Sequence, residues 1–127
     1  MIEEFVPYEI AIKLKELGFD EECIGAYTNF DDEIEFIYNK KPVKYSKIFT
    51  KKSPHCVAPT FSQVFRWFRI NYDLDHQISY AGKKGEYHAF VNKYVYGNNG
   101  NSPSIFSYED AELNCVYKLI EIVKQKR

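Results

Sequence analysis

The chain has 127 residues, enough to bury one sizeable core and too few for two, so a single domain spanning 1–127 is expected. Aromatic residues make up 17% of it, 11 Tyr and 10 Phe among them, and with only 6 Gly and 5 Pro the composition excludes a disordered chain. Three cysteines with no CxxC pair exclude a disulfide framework of the secreted kind, and a net charge of −1 singles out no class of partner.

That total hides a sorting of charge. Residues 1–35 carry eleven acids against two lysines, residues 36–72 carry eight lysines or arginines and no acid, and residues 73–127 carry seven of each. Two readings follow: an acidic first part neighbouring a basic connector within the molecule, or a positive patch directed at nucleic acid or an acidic protein surface. No apolar run approaches the roughly 18 residues of a membrane span. Met1 leads into Glu3 and Glu4 rather than into a basic and then apolar leader, so a cytoplasmic, reducing setting is expected.

The first helix is expected over about 7–17. Pro7 suits a first turn, where a missing N–H costs nothing, and Ile10, Ala11, Leu14 and Leu17 form one apolar stripe. Gly18 can take the left-handed position just past the end, with Phe19 packing back on Leu14. Residues 23–27 read as a strand, and 33–38 alternates with Ile34, Phe36 and Tyr38 on one face, so the two form an antiparallel hairpin and complete an αββ unit over about 7–38. Residues 39–58 form a basic connector punctuated by Pro42 and Pro54, with Tyr45, Ile48 and Phe49 available to pin it.

The central helix, about 60–72, organises the rest. Thr60 is placed to cap it and Gln63 to reach back to the cap amide, while Phe61, Val64, Phe65, Phe68 and Tyr72 fall in one stripe. Residues 74–80 and 86–96 then read as strands around the loop 81–85, closing a second αββ unit over about 60–96. Residues 97–104 form a polar loop without the Lys-Ser/Thr of a phosphate-binding loop. Ser107 caps a last helix over about 108–125, with Phe106 and Ala111 as a staple across the cap and Tyr108, Ala111, Cys115, Leu119, Ile122 and Val123 as its core stripe. An offset of about 55 residues sets Leu17 on Tyr72 and Phe19 on Leu74, a weak internal repeat of the αββ unit. The expected fold is α+β: an antiparallel sheet of about four strands drawn from two αββ units, helices packed on one face, and a C-terminal helix.

Tyr8-Glu9 with Leu14-Lys15-Glu16-Leu17-Gly18-Phe19-Asp20-Glu21, then Ala58-Pro59-Thr60-Phe61-Ser62-Gln63 with Trp67-Phe68-Arg69, then Tyr108-Glu109-Asp110-Ala111-Glu112 with Leu119-Ile120, resemble a family of small uncharacterised single-domain proteins from bacterial and bacteriophage genomes. The resemblance spans nearly the whole chain and lies in helices and their caps. It implies a shared single-domain fold and an accessory or phage-encoded protein rather than one of housekeeping metabolism, and it brings no established activity, cofactor or catalytic residue.

The residues able to carry chemistry are Cys23, His55, Cys56, His76 and His88. No pair among them has the spacing of structural zinc, and Cys56 would need a histidine base and an orienting group before it could act as a nucleophile. Asp73 with Asp75, and Glu33 with Glu35, read as solvated charge. No catalytic, cofactor-binding or metal-binding residue is therefore expected, and the chain reads as non-enzymatic.

A second apolar face is the stronger anomaly. Gln63, Trp67 and Ile70 lie away from the Phe61 stripe, and Leu113, Tyr117 and Ile120 do the same on the last helix. Either the connector covers these faces or a partner does. With Arg66 and Arg69 beside Trp67 the expectation is a protein-binding surface, a homodimer included. The alternative is a nucleic-acid-binding module that uses Lys40, Lys41, Lys44 and Tyr45 of the connector with Arg66 and Arg69, against which stands a pI of about 6.3.

Overall fold

The computed structural model describes residues 4–30, 33–43, 56–82, 84–91, 94–95 and 107–126. Among them the elements run α1 (Tyr8–Glu16), β1 (Cys23–Phe30), β2 (Glu33–Val43), β3 (Cys56–Ala58), α2 (Phe61–Tyr72), β4 (His76–Tyr80), β5 (Tyr87–Val91), β6 (Tyr94–Val95) and α3 (Tyr108–Gln125). The class is α+β, as the alternation of helical and strand patterns implied, and the chain divides into two compact units, Met1–Gln63 and Val64–Arg127. The one expected sheet of about four strands is replaced by two three-stranded antiparallel sheets, in the orders β2-β1-β3 and β4-β5-β6. Each hairpin gains a third strand from its own unit, which satisfies locally a sheet edge that would otherwise seek the other hairpin.

In the first unit α1 ends in a Schellman motif. Gly18, with φ of 98°, lets its own N–H reach the Lys15 carbonyl at 3.0 Å while the Phe19 N–H reaches that of Leu14 at 3.0 Å. Leu14, Leu17 and Phe19 are buried around this exit. Pro7 stands one position earlier than expected, as the extended N-cap residue of α1. β1 and β2 run longer than their alternating cores, because pairing holds from Phe30↔Glu33 through Gly25↔Tyr38 and resumes at Cys23↔Val43. The irregularity between these last pairs contains Pro42, which has no N–H to give to the ladder. Residues 39–43 thus belong to β2, and β3 pairs on the other side of β1, with Tyr27 opposite Cys56 and Gly25 opposite Ala58. The N-terminal segment closes over this sheet through a bridge between Phe5 and Thr60 and a bond from the Val6 N–H to the Pro59 carbonyl at 3.0 Å. The Tyr27 hydroxyl donates to the Val6 carbonyl at 2.6 Å, and burial together with Cys56 pushes that hydroxyl up to about 12, so it keeps the proton it donates.

A reciprocal capping box starts α2. The Gln63 N–H donates to Thr60 Oγ1 at 3.1 Å and the Thr60 N–H donates to Gln63 Oε1 at 3.1 Å, as the spacing implied. Phe61, Val64, Phe65 and Phe68 of its stripe are buried and Tyr72 is half-buried.

In the second unit the exit of α2 repeats that of α1 in one respect. Asp73 is left-handed with φ of 55°, and Leu74, buried like Phe19, donates its N–H back to the Phe68 carbonyl at 3.3 Å. Gly18 and Asp73 are the positions that the 55-residue offset superposes. The sheets do not repeat, because the third strand joins β1 in the first unit and β5 in the second. The strand expected over 86–96 is two strands, with Val91 opposite Tyr94 and Phe90 opposite Val95. The capped α3 packs on β4 and β5: Ser107 Oγ accepts from the Asp110 N–H at 3.0 Å, and the Cys115 thiol points at the carbonyls of Phe90, 3.7 Å away, and Gln77, 4.0 Å away. Ala111, Cys115, Leu119, Ile122 and Val123 are buried as expected, and so are Val116 and Ile120, whereas Tyr108 is open. Phe106, the other half of the expected staple, lies outside the described residues.

Candidate interaction surface

Strand period and hairpin register together lay out the second unit's sheet. On one face are His76, Ile78 and Tyr80 of β4, opposite Val91, Ala89 and Tyr87 of β5; on the other are Gln77 and Ser79, opposite Phe90 and His88. The first face carries the buried Ala89 and Val91 where α3 lies. Its far end runs out at the hairpin loop, which closes through the Ala81 N–H and the Glu86 carbonyl at 3.0 Å. Tyr80 and Tyr87 are therefore a cross-strand pair at the sheet end, and the N-cap at Ser107 sets Tyr108 beside them.

The three rings form a row. Tyr80 and Tyr87 meet with centroids 5.9 Å apart at 70°, and Tyr87 and Tyr108 at 5.5 Å and 86°, both edge to face. Tyr80 is 60% exposed and Tyr108 44%. Beside Tyr108 stand two acids, exposed Glu109 and half-buried Glu112, while the hairpin loop carries half-buried Glu86 and exposed Lys84. Burial raises the Tyr108 hydroxyl above its ordinary range, with Glu112 the next cause, and burial then Glu109 raise the Glu112 carboxyl in the same way.

The residues singled out from sequence have different surroundings. Trp67 is only 7% exposed and lies edge-on to Phe68 at 5.0 Å and Tyr72 at 5.4 Å, so its ring is occupied within the second unit. Gln63 is committed to the cap of α2 and to the Glu22 carbonyl, which its Nε2 reaches at 2.9 Å. Arg69 holds Asp75 at 3.3 Å, both side chains 47% exposed, an ion pair worth little in stability but one that balances the charge. Arg66 and Ile70 are exposed on α2, Ile70 at 70%. Lys40 and Lys41 stand in the irregular end of β2, and Lys44 and Tyr45 lie outside the described residues, as do His55 and most of the basic connector.

Of the candidates for chemistry, Cys23 and Cys56 lie within electrostatic reach of each other in the first unit. His76 and His88 project from opposite faces of their sheet. Cys23, Cys56 and Cys115 are all buried. Burial, with Glu21 nearby, pushes the Cys23 thiol up to about 12, and burial pushes Cys115 up to about 11, which removes thiolate at neutral pH. Among the described residues no group of three or more His, Cys, Asp or Glu is placed to hold a metal ion, and no helix is long and apolar enough to cross a membrane.

His76 stacks flat on Phe65, centroids 3.6 Å apart at 7°, with its Nδ1 buried, unbonded, and 3.7 Å from Asp75 Oδ1. Burial lowers its pKa below the ordinary 6.5, Arg69 adds to that, and Asp75 opposes both. The unfolded chain thus takes up this proton more readily than the folded one, so stability is full above that ordinary value and falls as the pH drops below it. Urea midpoints measured from about pH 7.5 to 5 should decline in the wild type and decline less in His76→Phe, which keeps the stack without the proton. Parallel slopes in the two proteins would remove His76 as the source.

The sequence signal that could have located the tyrosine row is the hairpin register, since closing the loop between Ala81 and Glu86 puts Tyr80 opposite Tyr87. Reading Tyr108 as the first member of a core stripe concealed it. Compared with known proteins, the chain matches no family model, no curated protein and no solved structure, so the functional reading rests on its own residues.

Proposed function

We propose that the chain acts by protein–protein interaction, as a non-enzymatic accessory protein, and that the row Tyr80, Tyr87 and Tyr108 is its contact surface. The single observation that carries this is the pair of open tyrosines, 60% and 44% exposed, bracing a third within one edge-to-face array. Tyrosine is among the residue types enriched at the centre of binding surfaces, because a rigid ring offers a large contact area at little conformational cost. The raised thiols of Cys23 and Cys115 weigh against thiol chemistry at those two residues. The surface moves away from Trp67 and its neighbours, whose ring is already covered. A nucleic-acid partner has less support, because Arg69 is balanced by Asp75 and Tyr108 stands beside the Glu109 and Glu112 carboxylates.

Replacing Tyr80 with a photoreactive benzoylphenylalanine, with Lys124 on the last turn of α3 replaced in a control, tests the reading in cells that express the chain. A discrete protein adduct from position 80 and none from 124 is expected; an adduct at twice the chain's own mass would identify a second copy. No protein adduct from position 80, or a nucleic-acid adduct alone, would sink it.

A further inference from the structure

We infer that the tyrosine row takes a cationic segment of a partner protein, with an arginine side chain lying over the Tyr80, Tyr87 and Tyr108 rings and its charge directed toward Glu109 and Glu112. This rests on the interaction reading above and deepens it by naming the partner's chemistry.

Ring geometry supplies the first half of the argument. Edge-to-face contacts at 70° and 86° do not stack one ring flat on another, Tyr80 and Tyr108 are 60% and 44% exposed, and a ring face carries the negative part of the aromatic quadrupole. A guanidinium within about 6 Å of a ring centroid is attracted to that face, and its planarity lets it stack where an ammonium only points. Charge complementarity supplies the second half. Glu112 and Glu109 are the carboxylates that act on Tyr108, at the α3 end of the row, while the hairpin end carries Glu86 and the described Lys84. Glu112 is half-buried beside Glu109 with its carboxyl held above the usual range, a setting in which an arriving cation removes a like-charge penalty. The same carboxylates repel a phosphate backbone, so the occupant favoured here is a basic peptide and not a nucleic acid.

Titrating the full chain with a short arginine-rich peptide, a neutral peptide of equal length and a glutamate-rich one, read by the aromatic NMR signals of the three tyrosines, separates the possibilities. The arginine peptide alone should move those signals. Its affinity should fall about tenfold in Tyr80→Ala and Tyr108→Ala, and in Glu112→Gln it should fall less and lose part of its salt dependence. Unchanged spectra outside the row confirm that each variant is folded. Equal shifts with the neutral peptide, shifts that appear on concentrating the chain with no peptide, or arginine binding that leaves the tyrosine signals still would each overturn the cationic assignment. A silent titration together with a protein adduct at position 80 overturns this inference and leaves the interaction reading standing. Silence in both overturns the two together.

Discussion

Phe68→Ala is expected to lower the free energy of unfolding by about 3 to 5 kcal/mol, the largest single loss foreseen for this chain. Phe68 is completely buried on α2, with Trp67 edge-on at 5.0 Å and Tyr72 tilted at 6.0 Å, so removing its ring takes apolar surface out of the core and strips two rings of a neighbour. Against the roughly 5 to 15 kcal/mol that holds an ordinary domain together, such a loss leaves little margin. Urea unfolding followed by Trp67 fluorescence would measure it, because the reporter touches the vacated space. A loss below about 1 kcal/mol would mean that the stripe of α2 is not the core it is described to be.

Gly25→Ala has the next largest expected effect and works in the opposite sense, by adding an atom. A Cβ at Gly25 would stand 2.8 Å from two atoms of the Phe5 ring and 2.9 Å from the Phe36 ring, closer than carbon atoms tolerate. Phe5 is itself buried and packed on Phe36 with centroids 4.9 Å apart, so neither ring can swing away without disturbing the other, and Tyr27 braces Phe36 at 5.6 Å. Overpacking of this kind costs about 1 to 3 kcal/mol. Shrinking one ring should relieve it: the double substitution Gly25→Ala with Phe5→Leu should lose less than the two single losses combined, whereas strict additivity in the denaturation midpoints would dissociate the two positions.

What the sequence discloses and what it withholds divide along one physical line. Caps and helix exits are local. Thr60 with Gln63, Ser107 with the Asp110 amide, and Gly18 followed by Phe19 each satisfy backbone groups within a few residues, and all three stand where composition and spacing placed them. Sheet pairing is non-local. Cys56–Ala58 is a strand only because β1 offers it an edge, and three residues after a lysine-rich connector show no alternation to reveal it. The reversal between Val91 and Tyr94 was hidden by the β-formers on both sides of Asn92-Lys93. The tyrosine row was hidden for a related reason. A helical projection gives the direction in which Trp67 points and nothing about what meets it there, and the open tyrosine row arises from a hairpin register and a helix start that are far apart in sequence.

The burial of all three thiols has a practical corollary. Alkylating reagents attack the thiolate, so a side chain sealed from solvent is modified only when the surrounding structure opens. Cys23 and Cys56 belong to the first unit and Cys115 to the second. The molecule therefore carries its own pair of clocks: the rate at which each cysteine acquires a label, read peptide by peptide, times the breathing of one half separately from that of the other.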